Sequence, residues 1–125
     1  MLTDLQGKIQ TVKGPIEPDD LGATLIHEHL FFDLMCYYKD PEDERGKRLS
    51  EEPIELSNLA WVQQNSMSSK PNLVMLEEDV AVNEVKRYVE FGGRAIVDQS
   101  VNGIARMPYE LVSVSDRTGA HIIVG

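Results

Sequence analysis

The sequence has little cysteine and no long apolar run, and each lack excludes a class of protein. Cys36 is the only cysteine among 125 residues, which excludes an internal disulfide framework and indicates a reducing compartment such as the cytoplasm. Its apolar neighbours predict a small buried side chain. No apolar run reaches the roughly 18 residues that a membrane helix needs. The amino terminus also lacks a basic region followed by an apolar stretch, so we expect no membrane partner.

Basic residues are also scarce. Lys and Arg number 12 against 21 Asp and Glu, which gives a formal net charge of −9. A negative chain is repelled by phosphate backbones and anionic lipids, so neither nucleic acid nor a membrane is expected as a partner. A hydrophobic fraction of 42% with 26% charged residues is typical of one ordinary folded domain.

The first 30 residues contain two short apolar patterns. Residues 8–16 alternate apolar and polar side chains before the Gly14-Pro15 break, which predicts a strand or hairpin arm. We assign residues 1–20 to an amino-terminal arm. The apolar run 23–30 follows a turn and predicts a buried first strand of a sheet.

The next stretch is polar and then weakly periodic. Residues 39–53 contain six acidic and four basic side chains, a mixture that predicts a solvated loop. Residues 54–66 place apolar side chains at near-helical spacing, which predicts a short helix with Trp61 as its buried aromatic residue.

From residue 77 onward, helical and strand patterns alternate. Residues 77–91 form a helical pattern with Ala81 and Val85 on one face, and Gly92-Gly93 predicts its left-handed end. An apolar strand pattern, a helix opened by Pro108 and a further strand at 121–124 follow. This order predicts an α/β fold with about three parallel strands. Such strands need further elements to cover them, so we expect residues 1–125 to form one incomplete domain, with 21–125 as its first units.

His27 and His29 are the residues that carry chemistry most directly. Alternation along a strand places their side chains on the same face at its carboxyl end, where parallel α/β proteins build their sites. Two imidazoles there can bind one divalent metal ion. The spacing is equally compatible with a coincidental pair in which one histidine is hydrogen-bonded in the core. His121 precedes its strand and is expected at the opposite end of the sheet.

Several segments resemble one known family. The run from Gly22 to Leu30, which contains His27-Glu28-His29, resembles the opening metal-binding signature of the phosphotriesterase family in the amidohydrolase superfamily. The similarity extends over nearly the whole chain. It includes residues 9–12, 103–106 and 118–123, and residues 52–65 are particularly similar to the phosphotriesterase-related proteins.

The resemblance implies the amino-terminal part of a TIM (β/α)₈ barrel that binds two divalent metals, usually zinc. It assigns His27 and His29 to the more buried metal. It places the remaining ligands (a carboxylated lysine, two histidines and an aspartate) on the fourth, fifth, sixth and eighth strands, beyond this chain. The implied activity is hydrolysis of phosphotriesters, lactones, carboxylic esters or amides by a metal-bound hydroxide. We expect residues 1–125 alone to be inactive, and the sequence assigns no further catalytic or substrate-binding residue.

Asp98 and Arg106 have open roles, and Met107 departs from the pattern of the family. Asp98 is expected either to orient a metal-binding histidine or to satisfy backbone groups as a structural carboxylate. Arg106 is expected either to contact an anionic substrate group or to cap a helix. Met107 leaves the helix that begins at Pro108 without a good amino-terminal cap.

A different reading of the whole chain is a non-catalytic protein. Exposed strand edges would then pair with another chain, including a second copy of this one as a homo-oligomer. A small self-contained metal module is disfavoured, because two histidines leave zinc with too few ligands.

Overall fold

A computed structural model describes residues 5–125 of the chain, and the first four residues of the predicted arm lie outside the described residues. The strands are β1 (Ile9–Thr11), β2 (Gly14–Ile16), β3 (Thr24–Glu28), β4 (Phe32–Asp33), β5 (Val74–Met75), β6 (Ala95–Asp98) and β7 (His121–Val124). The α-helices are α1 (Glu44–Glu51), α2 (Leu59–Gln64), α3 (Lys70–Leu73), α4 (Glu78–Glu90) and α5 (Pro108–Thr118). Two compact units result. One runs to Phe31 and resumes at Glu77, and the other is Phe32–Leu76.

The first unit is built on a parallel sheet. Its strand order is β3-β6-β7, with Thr24 opposite Ala95 and Ala95 opposite His121. Helix α4 precedes β6, and α5 connects β6 to β7. Parallel neighbours joined through helices are the arrangement that the alternating sequence pattern predicts, so the α/β class is confirmed. Whether residues 1–125 belong to a single domain stays a prediction.

The two helices bury the faces that their periodicity predicts. Ala81 and Val85 of α4 are buried as expected, and Val82 beside them is fully buried. Helix α4 ends at Glu90, before Gly92 with a positive φ of 95°. Helix α5 buries Leu111 and Val114. These side chains and the buried strand residues Ala95, Ile96 and Ile122 form the core of this unit.

Both ends of α5 agree with the sequence analysis. Pro108 occupies its first turn, and Met107 makes no side-chain capping hydrogen bond. Gly119 follows the helix with φ 76°, a left-handed conformation that glycine adopts without steric penalty.

The predicted buried character of β3 is wrong. Leu25 is 39% and Ile26 is 76% exposed, because among the described residues β3 pairs with β6 on one side only. A β-bulge also interrupts this strand. Leu25 lies opposite Ile96 and Glu28 opposite Asp98, so one extra residue is accommodated between them on β3.

The amino-terminal arm contains the predicted hairpin. Strands β1 and β2 pair antiparallel, with Ile9 opposite Ile16. The backbone N–H of Val12 donates to the carbonyl oxygen of Ile122 at 2.8 Å. The arm is therefore hydrogen-bonded to β7.

The second unit differs from its sequence prediction in several places. Helix α1 replaces the loop expected at residues 39–53. The Asp43 side chain caps this helix by accepting a hydrogen bond from the Gly46 N–H at 2.8 Å, and Leu49 is buried. Cys36 was expected to be buried, but it is exposed in the short 3₁₀ helix Met35–Tyr37.

The helix predicted at 54–66 is shorter than expected. It spans only Leu59–Gln64, and it buries Val62 while Trp61 is half-buried. The unit begins and ends at paired strands, since β4 and β5 are antiparallel with Phe32 opposite Met75. Within residues 5–125, none of the helices combines the length and the apolar character needed to cross a membrane.

A polar network joins α4 to α5 in the first unit. The Ser113 hydroxyl donates to Glu78 Oε1 at 2.6 Å, and Arg117 donates to Glu78 at 2.8 Å and to Asp79 at 2.7 Å. The hydrogen bond from Ser113, and after it the one from Arg117, lowers the pKa of the Glu78 carboxyl below its usual value. The ionised carboxylate therefore favours the folded state.

This network predicts that the difference in stability between Glu78→Gln and the unmodified protein depends on pH. A carboxyl whose pKa is lowered by folding stabilises the folded state above its unfolded pKa, and this contribution is lost as pH falls through the folded pKa. We therefore expect Glu78→Gln to lower the Tm at neutral pH by no more than a few degrees, since the site is partly solvated. The difference should vanish in acid. Glu84→Gln, whose carboxylate is 3.7 Å from Arg87 on an exposed surface, is the control. Equal pH profiles for the two variants in thermal melts contradict the prediction.

Candidate functional site

The carboxyl ends of the three parallel strands share one edge of the sheet. The Gln99 N–H donates to the Glu28 carbonyl at 2.9 Å, and the Gly125 N–H donates to the Asp98 carbonyl at 3.0 Å. His27 lies in the last residues of β3, and His29 follows the strand directly. Both histidines are therefore at the edge where parallel α/β folds place their sites.

The two imidazole rings lie close together. Their centroids are 5.5 Å apart with an interplanar angle of 67°, and both residues are exposed. Simple alternation would separate the side chains by roughly 7 Å along the strand, but the bulge between Leu25 and Glu28, an interval that contains His27, interrupts that alternation. Bulges beside functional sites commonly redirect a side chain in this way.

The ring separation fits a shared metal ion. Zinc–nitrogen bonds of about 2.1 Å and tetrahedral angles place two coordinated imidazole centroids about 5 Å apart. The observed 5.5 Å is close to that separation. Imidazole nitrogen is also a donor that zinc prefers, so the two histidines fit two ligand positions of a zinc site.

A serine supports one of the two histidines. His29 Nδ1 is 3.0 Å from the Ser100 hydroxyl oxygen, and this hydroxyl donates its hydrogen to the Phe31 carbonyl oxygen at 3.0 Å. Ser100 is 2% exposed, so this hydroxyl is shielded from water. The sequence suggested a core histidine as an alternative, but His29 is hydrogen-bonded while remaining exposed.

The sequence left two roles open for Asp98, and the structure shows the second: its carboxylate satisfies backbone groups. It is 1% exposed, and its two carboxylate oxygens accept the backbone N–H groups of Leu30 and Ser100, each at 2.8 Å. It therefore ties the end of β3 to the end of β6. The hydrogen-bond partner of the histidine is Ser100, which the sequence analysis missed. Its position two residues after Asp98, at the end of an apolar run, is the only sequence signal for it.

The other charged candidates lie elsewhere. His121 begins β7 opposite Ala95, at the amino end of the sheet as predicted. Arg106 is exposed and follows Ala105, a non-glycine residue with φ 65°. It borders a groove of about 380 Å³ with apolar neighbours that include Tyr109 and Val124. Within the described part of the chain Arg106 makes no helix-capping hydrogen bond, and its contact with an anionic group stays a prediction.

The described residues do not form a complete metal site. Among residues 5–125, no group of three or more His, Cys, Asp or Glu side chains is arranged to hold a metal ion. A catalytic zinc site uses about three protein ligands and one open position. Two histidines therefore need ligands from outside this set of residues.

Comparison with known proteins identifies relatives over nearly the whole chain. The sequence model of the phosphotriesterase family matches residues 7–125. The N-acetyltaurine hydrolase of Salmo salar is 42% identical over 125 residues, which are 99% of this chain and 36% of that protein. The human N-acetyltaurine hydrolase is 41% identical over the same shares. The chain thus spans about 36% of the length of these curated relatives.

Solved structures share the fold. A resiniferatoxin-binding protein from Rhodobacter sphaeroides superposes with a TM-score of 0.92 at 39% identity, over 95% of this chain and 33% of that one. An organophosphorus hydrolase from Deinococcus radiodurans superposes with a TM-score of 0.60 at 24% identity, over 94% and 28% of the two chains. At that lower identity the match shows the fold alone.

Proposed function

Because the chain belongs to the phosphotriesterase family, we propose that it forms the amino-terminal part of a zinc-dependent hydrolase. His27 and His29 bind one of two zinc ions in this proposal. The observation that carries it is the 5.5 Å separation of the two imidazole rings at the carboxyl edge of the sheet. Two nitrogen donors at that edge have the chemistry and the spacing of two ligands that bind the same metal ion.

Zinc held at such a site would lower the pKa of water and would polarise the carbonyl or phosphoryl oxygen of the group under attack. The residues of this chain hold and orient the cation. His27 and His29 provide nitrogen lone pairs, and the Asp98 carboxylate fixes the backbone on which His29 lies through its hydrogen bond with Leu30. This support reduces the reorganisation of His29 that accompanies binding.

The proposed substrates contain an ester or an amide bond, and a carboxylic amide is the first candidate. Phosphotriesters, lactones, carboxylic esters and amides all react with a metal-activated water. The curated relatives at 41–42% identity are named for hydrolysis of N-acetyltaurine, which is an amide. We therefore propose amide hydrolysis of a small molecule, in the cytoplasm and without a nucleic-acid or membrane partner.

The test compares substrates before and after metal removal in the full-length polypeptide that carries this segment. N-acetyltaurine, a lactone, an aryl carboxylic ester and an aryl phosphotriester serve as substrates. We expect hydrolysis of N-acetyltaurine, its loss after dialysis against a zinc chelator, and its recovery when zinc is added back. Turnover that persists in protein shown to be free of metal contradicts the proposal.

The segment itself provides a further arm of the experiment. Residues 1–125 alone should show no turnover with any of these substrates. Two observations support the non-catalytic alternative: within residues 5–125 strand β3 pairs on one side only, and its Ile26 is 76% exposed. If residues 1–125 form a defined dimer in size-exclusion chromatography with light scattering, that result supports this alternative, whereas aggregation or an unfolded chain supports the truncated hydrolase.

A further inference from the structure

A short relay of hydrogen bonds lies beneath His29. His29 Nδ1 is 3.0 Å from Ser100 Oγ, and Ser100 Oγ donates to the Phe31 carbonyl oxygen at 3.0 Å. All three groups belong to the first unit. The relay connects an exposed imidazole to a buried backbone carbonyl through a single hydroxyl.

The number of protons in this relay fixes their positions. A serine hydroxyl has one hydrogen, and a carbonyl oxygen only accepts hydrogen bonds. The Ser100 hydrogen therefore points to Phe31, and the Ser100 oxygen accepts a hydrogen bond from His29 Nδ1. A neutral His29 then has its proton on Nδ1 and its free lone pair on Nε2.

We propose that Ser100 is a positioning residue that sets the tautomer of His29 and directs its Nε2 lone pair toward the metal. The part that concerns the metal rests on the proposed function, and the part that concerns the tautomer stands on the relay alone. A hydrogen bond to the other ring nitrogen is a general way to orient a metal-binding histidine. Here a neutral hydroxyl makes this hydrogen bond with the histidine, while the nearby carboxylate of Asp98 accepts hydrogen bonds from backbone N–H groups.

The hydroxyl is held in place by its own backbone. The Ser100 N–H donates to Asp98 Oδ1 at 2.8 Å, and the other oxygen of Asp98 accepts the Leu30 N–H. The residues on either side of the relay are thus fixed by one buried carboxylate. Within the described residues the His27 ring has no comparable hydrogen bond, so the relay acts on only one histidine of the pair.

The experiment reads the tautomer directly. The full-length polypeptide is labelled with ¹⁵N at histidine, freed of metal, and studied by long-range ¹H–¹⁵N correlation well above the usual imidazole titration range. Loss of a signal in His29→Gln assigns His29. We expect the Nδ1–H form to dominate for His29, and Ser100→Ala to convert it to a mixture of both tautomers. An Nε2–H form in the unmodified protein, or an unchanged spectrum in Ser100→Ala, overturns the proposal.

Zinc affinity provides the second readout. Loss of such a supporting hydrogen bond typically weakens metal binding by about 10–100-fold, and we expect a loss in that range for Ser100→Ala. Ser100→Thr keeps the hydroxyl and should restore both the tautomer and the affinity. Ser113→Ala, which removes a serine bonded to Glu78, should change neither. Unchanged zinc affinity in Ser100→Ala overturns the metal part of the proposal.

Two further results distinguish unfolding of a variant, failure of the proposed function and failure of the role given to Ser100. The His121 signal, from the opposite end of the sheet, reports whether Ser100→Ala remains folded. If it does not, the tautomer of the unmodified protein and of Ser100→Thr still decides the question. Protein that binds no zinc but shows the expected tautomer contradicts the proposed function and leaves the role of Ser100 in orienting His29 intact.

Discussion

Replacing both His27 and His29 with alanine is expected to reduce turnover of the full-length polypeptide by at least about a thousandfold. A catalytic metal contributes several kcal/mol to transition-state stabilisation, and each 1.36 kcal/mol corresponds to a tenfold change in rate. The two rings are the metal-binding side chains that this segment supplies in the proposed site. Bound zinc, measured by elemental analysis after gel filtration, should fall in parallel with the rate.

The matched control is His121→Ala. His121 is a half-buried histidine at the amino end of β7, far along the strand from the carboxyl edge. This variant removes an imidazole from the same sheet and should retain both zinc and turnover. A double variant of His27 and His29 that keeps its rate at saturating zinc contradicts their assignment as ligands.

The two histidines should also differ from each other. His29 is supported by Ser100, whereas His27 lies in the bulged part of β3. The ring of His29 is therefore the better oriented of the two before metal binds, and its loss should reduce zinc affinity more than loss of His27. Titration of the two single variants with zinc provides the comparison.

Asp98→Asn is expected to destabilise the fold by about 3 kcal/mol or more. Hydrogen bonds to charged groups contribute about 1.5–3 kcal/mol each, and Asp98 accepts two of them while only 1% exposed. Asparagine keeps the shape but replaces one acceptor oxygen with an NH₂ group. That group then faces a backbone N–H of Leu30 or Ser100, so two donors oppose each other in a buried site.

Denaturant unfolding and amide exchange measure this effect. The midpoint of unfolding should fall, and the Leu30 and Ser100 amide protons should exchange faster. The control is Asp116→Asn, the same substitution at a carboxylate that is 56% exposed and paired with Lys13. Exposed ion pairs contribute at most about 1 kcal/mol, so this variant should remain close to the unmodified protein. Equal stability of the two variants contradicts the role given to Asp98.

The sequence predicted best those elements whose signals are local. Helix α4 was expected at residues 77–91 and spans Glu78–Glu90, because its apolar period and the following glycines are both readable from the chain. Helix α5 likewise follows from Pro108 and Gly119. In both helices a hydrophobic face and a terminal residue specify the same segment.

Elements with weak apolar patterns were less predictable. Helix α1 lies in a stretch dominated by charge, and its one buried large apolar side chain is Leu49. Periodicity therefore gave no signal, and the capping contact of Asp43 became visible only in the structure. The exposure of Cys36 is a property of tertiary packing, which its apolar neighbours in sequence do not determine.

Part of the candidate site was predictable, and part depends on strand pairing. The His-x-His spacing and the carboxyl end of the strand identified His27 and His29. The bulge between Leu25 and Glu28 arises from the register between β3 and β6, and the contact of Ser100 with His29 joins residues 71 positions apart. Register and long-range contacts are not encoded in local periodicity, so neither feature could be predicted from spacing.

The pairing of β4 with β5 bears on how proteins of this kind can diversify. Phe32 lies opposite Met75 and Asp33 opposite Val74. The segment between these two strands therefore begins and ends at the same strand pair. Lengthening such a segment changes its closure free energy by only about 0.6 kcal/mol per doubling. Residues 34–73 can therefore be exchanged, in evolution or by design, without changing the spacing of His27 and His29 or the hydrogen bonds that Asp98 accepts from Leu30 and Ser100.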